Sequence, residues 1–95
     1  MTKVQLSRIK GCQGIRVELP NANFLLIAAP KGYVMCGYLN MDTAEKLGDA
    51  ACIVTGVKEF EDMLAAKVVK ASAKAKELGI AEGMSGEAAL SILSI

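Results

Sequence analysis

Near the start of the chain, apolar and polar positions alternate. Val4 and Leu6 begin the pattern, and Ile15, Val17 and Leu19 repeat it. A period of two marks a strand that turns one face toward a core. The Gly11 to Gly14 segment between them reads as a hairpin connection. Phe24 to Ala29 and Tyr33 to Leu39 are nearly continuous apolar runs on either side of Pro30-Lys31-Gly32. Such runs predict central strands covered on both faces. Proline followed two positions later by glycine predicts a type II turn, with Pro30 presetting φ and Gly32 taking the positive φ.

Beyond Asn40, Asp42-Thr43-Ala44-Glu45 has the form of a capping box. Asp42 is placed to accept from the Glu45 amide, and Gly48 to end a short helix. Ala50 to Thr55 is a further apolar, partly β-branched run. After Gly56 the period changes. Phe60, Leu64, Val68, Ala71, Ala75 and Leu78 recur at intervals of three and four, which predicts one long helix with an apolar stripe against the sheet. Glu59, Glu61 and Asp62 near its start and Lys70, Lys74 and Lys76 near its end complement the helix dipole. Gly79 is the expected C-terminal stop. Ser85 reads as the N-cap of a last helix reaching about Leu93, with Glu87 in its first turn. The expected fold is therefore mixed α/β, or α+β. A mixed sheet of about five strands, four joined by tight turns and the fifth reached through a short helix, carries one long helix and two short ones.

The length, 95 residues, suits one globular domain over 1–95. With 53% hydrophobic residues, 4% aromatic and no Trp, the core must come from Ala, Val, Ile, Leu and Met. Both faces of the central runs need cover, and one long helix with two short ones is thin cover for both. A second copy of the chain is therefore expected on the exposed face, as a dimer first and a trimer next. The net charge of +1, from 11 basic and 10 acidic residues, supplies no basic field for nucleic acid. No apolar stretch approaches the roughly 20 residues that span a bilayer. Met1 to Lys10 lacks the apolar core of a secretory signal, so the cytoplasm is the expected compartment.

Histidine is absent, and Cys12, Cys36 and Cys52 are odd in number with no CxxC spacing. This argues against a disulfide framework and structural zinc, and no metal or cofactor is expected. Mechanisms that need imidazole require a second chain to bring it. The strand-to-helix junction Thr55-Gly56-Val57-Lys58 is the leading candidate site, for a small anionic metabolite. Free amides at a helix start bind anions, Gly56 permits close approach, and Thr55 and Lys58 bring a hydroxyl and a charge. The three acids that follow weaken that field, and an ordinary capping turn accounts for the same residues. Cys36 and Cys52 are the candidate nucleophiles of a histidine-free thiol enzyme, with Asp49, Lys58, Glu59 and Asp62 as the nearest supporting charges. A cysteine inside an apolar strand is also an ordinary small buried side chain. Gly83-Met84-Ser85-Gly86 matches the GxxG loop of a nucleic-acid clamp, but Glu82 and Glu87 flank it where a phosphate needs bases. Lys67, Lys70 and Lys74 fall on one face of the expected long helix and read as a solvated row.

Four segments taken in order resemble the YunC-like proteins of bacteria and archaea. They are Gly32-Tyr33-Val34-Met35-Cys36-Gly37-Tyr38-Leu39; Gly48-Asp49-Ala50-Ala51; Thr55-Gly56-Val57-Lys58 with Glu61-Asp62-Met63-Leu64; and Leu78-Gly79-Ile80 with Gly83-Met84-Ser85-Gly86. The resemblance spans nearly the whole chain. It implies a compact α/β domain and, the family having no assigned activity, transfers no catalytic residue. Three readings of function follow from the residues: a homo-oligomeric binding module for a small anion, a thiol enzyme, and a nucleic-acid binder, with the first favoured.

Overall fold

The computed structural model describes residues 3–95; Met1 and Thr2, which open the segment weighed above as a signal, lie outside them. Strands β1 (Val4–Ile9) and β2 (Cys12–Glu18) form a hairpin closed by Lys10 and Gly11, at φ 51° and 81°. Positive φ at both central positions gives the turn the same twist as the strands, which is why two residues suffice. The antiparallel meander continues through β3 (Asn23–Ala29) and β4 (Gly32–Met35). Helix α1 (Met41–Leu47) then carries the chain to β5 (Ala50–Ile53), which pairs parallel to β4. A parallel neighbour needs such a crossover.

Two local expectations give way. The Pro30-Lys31 turn is not type II, because neither Lys31 nor Gly32 has positive φ. Gly32 instead meets β5, where a Cβ would collide with the Ala50 carbonyl oxygen. The N-cap of α1 is Asn40, whose side chain accepts from the Asp42 amide at 2.8 Å, and not Asp42. Glu45 is used elsewhere, accepting from the Ala73 amide at 3.0 Å. Gly48 does end the helix, at φ 75°.

The long helix is absent, and its span holds three elements: α2 (Phe60–Ala65), β6 (Lys70–Ala71) and α3 (Ala73–Glu77). Ala66 turns extended at ψ 155° and stops α2. Lys67 bridges Ser85, and the Val69 amide donates to Ile53 at 2.9 Å, so the chain crosses the edge of β5 as a sixth strand. The β-branched pair Val68-Val69 favours that extended path. Ser72 then restarts a helix, its Oγ accepting from Ala75 at 3.2 Å and from Ala51 at 3.0 Å while donating to the Asp49 carbonyl at 2.7 Å. Lys67, Lys70 and Lys74 consequently sit on three different pieces of backbone and form no helical row. Ser85 caps the last helix, α4 (Gly86–Leu93), as expected.

The sheet runs β1-β2-β3-β4-β5-β6 in chain order. One face is closed by α2, α3 and α4 over Leu25, Ile27, Val34, Cys52 and Val54. Among the described residues the opposite face has only α1, whose Met41 and Ala44 pack on Met35, Ala51 and Ile53. No helix of the described residues is long and apolar enough to cross a membrane.

Candidate functional site

Strands β4 and β5 lie side by side and run the same way, and their chains leave in opposite directions. From β4 the chain passes to α1 on one face, and from β5 to α2 on the other. Divergence at the carboxyl ends of adjacent parallel strands opens a crevice, the usual ligand position in α/β sheets. Here it is a cleft of about 280 Å³. Cys36, Gly37 and Tyr38 form one wall, Thr55, Gly56 and Val57 the other, and Ala22 with Asn23 the end.

Beyond the last ladder bond, from the Val54 amide to the Met35 carbonyl at 2.9 Å, pairing stops. Among the described residues, the amides of Gly37, Tyr38, Thr55, Gly56 and Val57 find no acceptor. Gly56, at φ 71°, takes a backbone shape that other residues rarely adopt. Asn23 steadies the second loop, its side-chain amide donating to the Lys58 carbonyl at 2.9 Å.

The four residues expected to hold an anion are only partly brought together. Thr55, Gly56 and Val57 line the cleft, whereas Lys58 is not among its lining residues. The amides at the true start of α2 are already satisfied, because Asp62 Oδ2 accepts from Lys58 N at 3.0 Å and from Glu59 N at 3.1 Å. An internal carboxylate occupies the place an external anion would take at that helix end. Free donors lie one step earlier, in the loop, and are matched by Gly37 and Tyr38 across the cleft.

The two candidate thiols separate. Cys36 is 4% exposed, lines the cleft, and accepts through Sγ from the Leu25 amide at 3.3 Å. Cys52 is fully buried outside the cleft, and desolvation pushes its thiol up to about 12. The supporting charges do not reach Cys36. Asp49 accepts from the Tyr33 hydroxyl at 2.7 Å, Glu59 faces Arg16 at 3.3 Å, and Asp62 holds the two amides above. The titratable side chains in the cleft wall are Cys36 and Tyr38 alone. Sequence reasoning missed Gly37, Tyr38, Ala22 and Asn23. Gly37 and Tyr38 were hidden in a run read as strand to Leu39, although an asparagine at position 40 was available as a helix cap.

A family model described as a domain of unknown function, DUF1805, matches residues 35–93. The chain belongs to the DUF1805 family. It is also 35% identical over 80 residues to the uncharacterized protein YunC of Bacillus subtilis, covering 80% of this chain and 79% of that one. A crystal structure of TA1206, a protein of unknown function from Thermoplasma acidophilum, is 44% identical, with a TM-score of 0.87 over 99% of this chain and 94% of that one. The resemblance carried by the four sequence segments is thereby shown. The DUF1805 match begins at Met35, so the two principal cleft walls fall inside it and β1, β2 and β3 do not.

Proposed function

We propose that this DUF1805 chain is a binding module for a small anion, taken as the phosphate or carboxylate end of a metabolite held in the β4–β5 cleft. The observation that carries this reading is the set of five amides without protein acceptors along one crevice. Main-chain donors that converge on a concavity form an anion site without any cationic side chain, and bonds to a charged acceptor are the stronger kind. Lys58, exposed just beyond the second loop, adds a favourable but screened charge.

Cys36 gives a thiol enzyme one specific point in its favour, since its sulfur shares the wall with those amides. A thiolate there would attack a carbonyl whose oxygen the amides receive. The cleft wall brings it no carboxylate or amine as a base, so binding is the better-supported role. Localisation in the cytoplasm belongs with this reading as an expectation.

The test is thermal. At constant ionic strength, millimolar phosphate or acetate raises the melting temperature of the wild-type protein by binding the folded state. Gly37→Leu removes the shift while keeping the fold, because Gly37 is not at positive φ and a Cβ there meets only Thr55 Cγ2 at 3.7 Å. No shift with any of these anions would overturn the reading. Lys58→Ala reduces the shift without abolishing it.

A further inference from the structure

On β1 and β2 the apolar alternation points the wrong way for a lone chain. The register Val4↔Val17 and Leu6↔Ile15 places these four side chains on the face opposite α2, α3 and α4. Toward the helices the same strands present Gln5 and Ser7 beside Gly14 and Arg16, with apolar Ile9 and Cys12 only at the turn end of the hairpin. Val4 and Leu6 are 62% and 67% exposed. Because a one-residue slip exchanges the two faces of a strand, such a pattern is held only where the apolar face is buried. The cover it implies is absent among the described residues of the single chain.

Next to this ridge, on the same face, lies its counterpart. A groove of about 450 Å³ runs between the sheet and α1, lined by Phe24, Leu26, Tyr33, Met35, Tyr38 and Leu39 among others. Leu6, Ile15, Leu26 and Met35 form one cross-strand row, so ridge and groove are about 10 Å apart at ordinary strand spacing. We propose that a second copy of this chain occupies the face, with the β1 ridge of each copy lying in the groove of the other. A two-fold axis running along the strands between β2 and β3 makes both contacts at once and closes the assembly. The two sheets then stack as an aligned sandwich.

The area is sufficient. The outward apolar side chains together expose on the order of 500 Å². That is close to the two-thirds apolar share of the roughly 800 Å² that each partner buries in a standard dimer. Arg8, at one end of β1, is the only charged side chain that the register of β1, β2 and β3 places on this face. Tyr38, 53% exposed, walls both the groove and the anion cleft, so a partner in the groove also fixes one wall of the cleft. This last consequence rests on the binding reading above; the dimer does not.

Sedimentation equilibrium without added anion, at tens of micromolar protein, tests the interface alone. The wild-type protein sediments at twice the 10.0 kDa of one chain. Leu6→Glu brings it to the single-chain mass with an unchanged circular-dichroism spectrum, and Val4→Lys, at the neighbouring exposed position, repeats that result. Val69→Glu, equally a change at an exposed apolar residue but beside the far edge of the sheet, leaves the dimer intact. A wild-type protein of single-chain mass, a trimer, or a dimer that survives both Leu6→Glu and Val4→Lys would each overturn the proposal. Since no ligand enters the measurement, this proposal and the anion reading fail separately.

Discussion

The two faces of the sheet are built from the same six strands and finished in opposite ways. Against the closed face, Leu25, Ile27, Val34 and Val54 meet Met63, Ile80, Leu90 and Leu93, all at most 2% exposed. Gly86 lets α4 approach so closely that a Cβ would strike the Met63 carbonyl oxygen. On the open face only the β4–β5 half is sealed, by α1, while Val4 and Leu6 lie bare. Stability of the single chain is therefore concentrated on one side of the sheet. The other side is the one on which we propose a second copy, and the cleft proposed to take an anion opens where the chain passes from one side to the other.

Substitutions on the two faces sharpen this contrast. The largest effect belongs to the closed face: Leu90→Ala costs about 2–5 kcal/mol in a denaturant titration, because a buried leucine leaves a cavity that rigid neighbours do not fill. Gly86→Ala follows at about 1–3 kcal/mol from forced separation of α2 and α4. On the open face Leu6→Glu, read on dilute monomer, changes stability by less than about 0.5 kcal/mol, as surface substitutions do. A cost for Leu6→Glu equal to that of Leu90→Ala would mean that the faces are not different in kind.

A pH titration separates the same two sides more gently. Burial raises the Cys52 thiol from 9.0 to about 12 on the closed face. Across the sheet, burial and then the hydrogen bond to Asp49 raise the Tyr33 phenol from 10.0 to about 12. Both groups stay neutral in the folded chain at a pH where the unfolded chain has lost the proton. Their stabilisation is complete below pH 9 and is lost between about pH 9 and 12. Cys52→Ala moves the onset of that loss from about pH 9 to about pH 10, the value set by Tyr33. An onset that does not move would show that Cys52 ionises freely.

The meander was legible in its alternation and apolar runs, but its turns were less so: the first falls at Lys10-Gly11 and not across Gly11 to Gly14, whose residues from Cys12 on already pair with β1, and Pro30-Lys31 turns without positive φ. The region from Phe60 to Leu78 was not. Its apolar residues keep helical spacing while serving three elements, and spacing alone cannot distinguish a continuous helix from short pieces docked on one core. The β-branched Val68-Val69 and the cap at Ser72 were the local signals of the break. Alternation in β1 and β2 revealed that two faces differ, but not that helices would cover the more polar one. For the site, Thr55 to Val57 stood out as a strand-to-helix junction. Its partner wall, Gly37 and Tyr38, depends on β4 and β5 being adjacent and parallel, a pairing no local motif states.

The five unpaired amides of the cleft are the centre of the account, and amide chemical shifts observe them individually. In a titration of labelled protein with phosphate or acetate at constant ionic strength, Gly37, Tyr38, Thr55, Gly56 and Val57 move together and saturate at one dissociation constant. Lys58 and Glu59, whose amides Asp62 already holds, shift little. Saturable movement confined to Lys58 and Glu59, or none at any of the seven positions, would contradict the assignment of the cleft as an anion site.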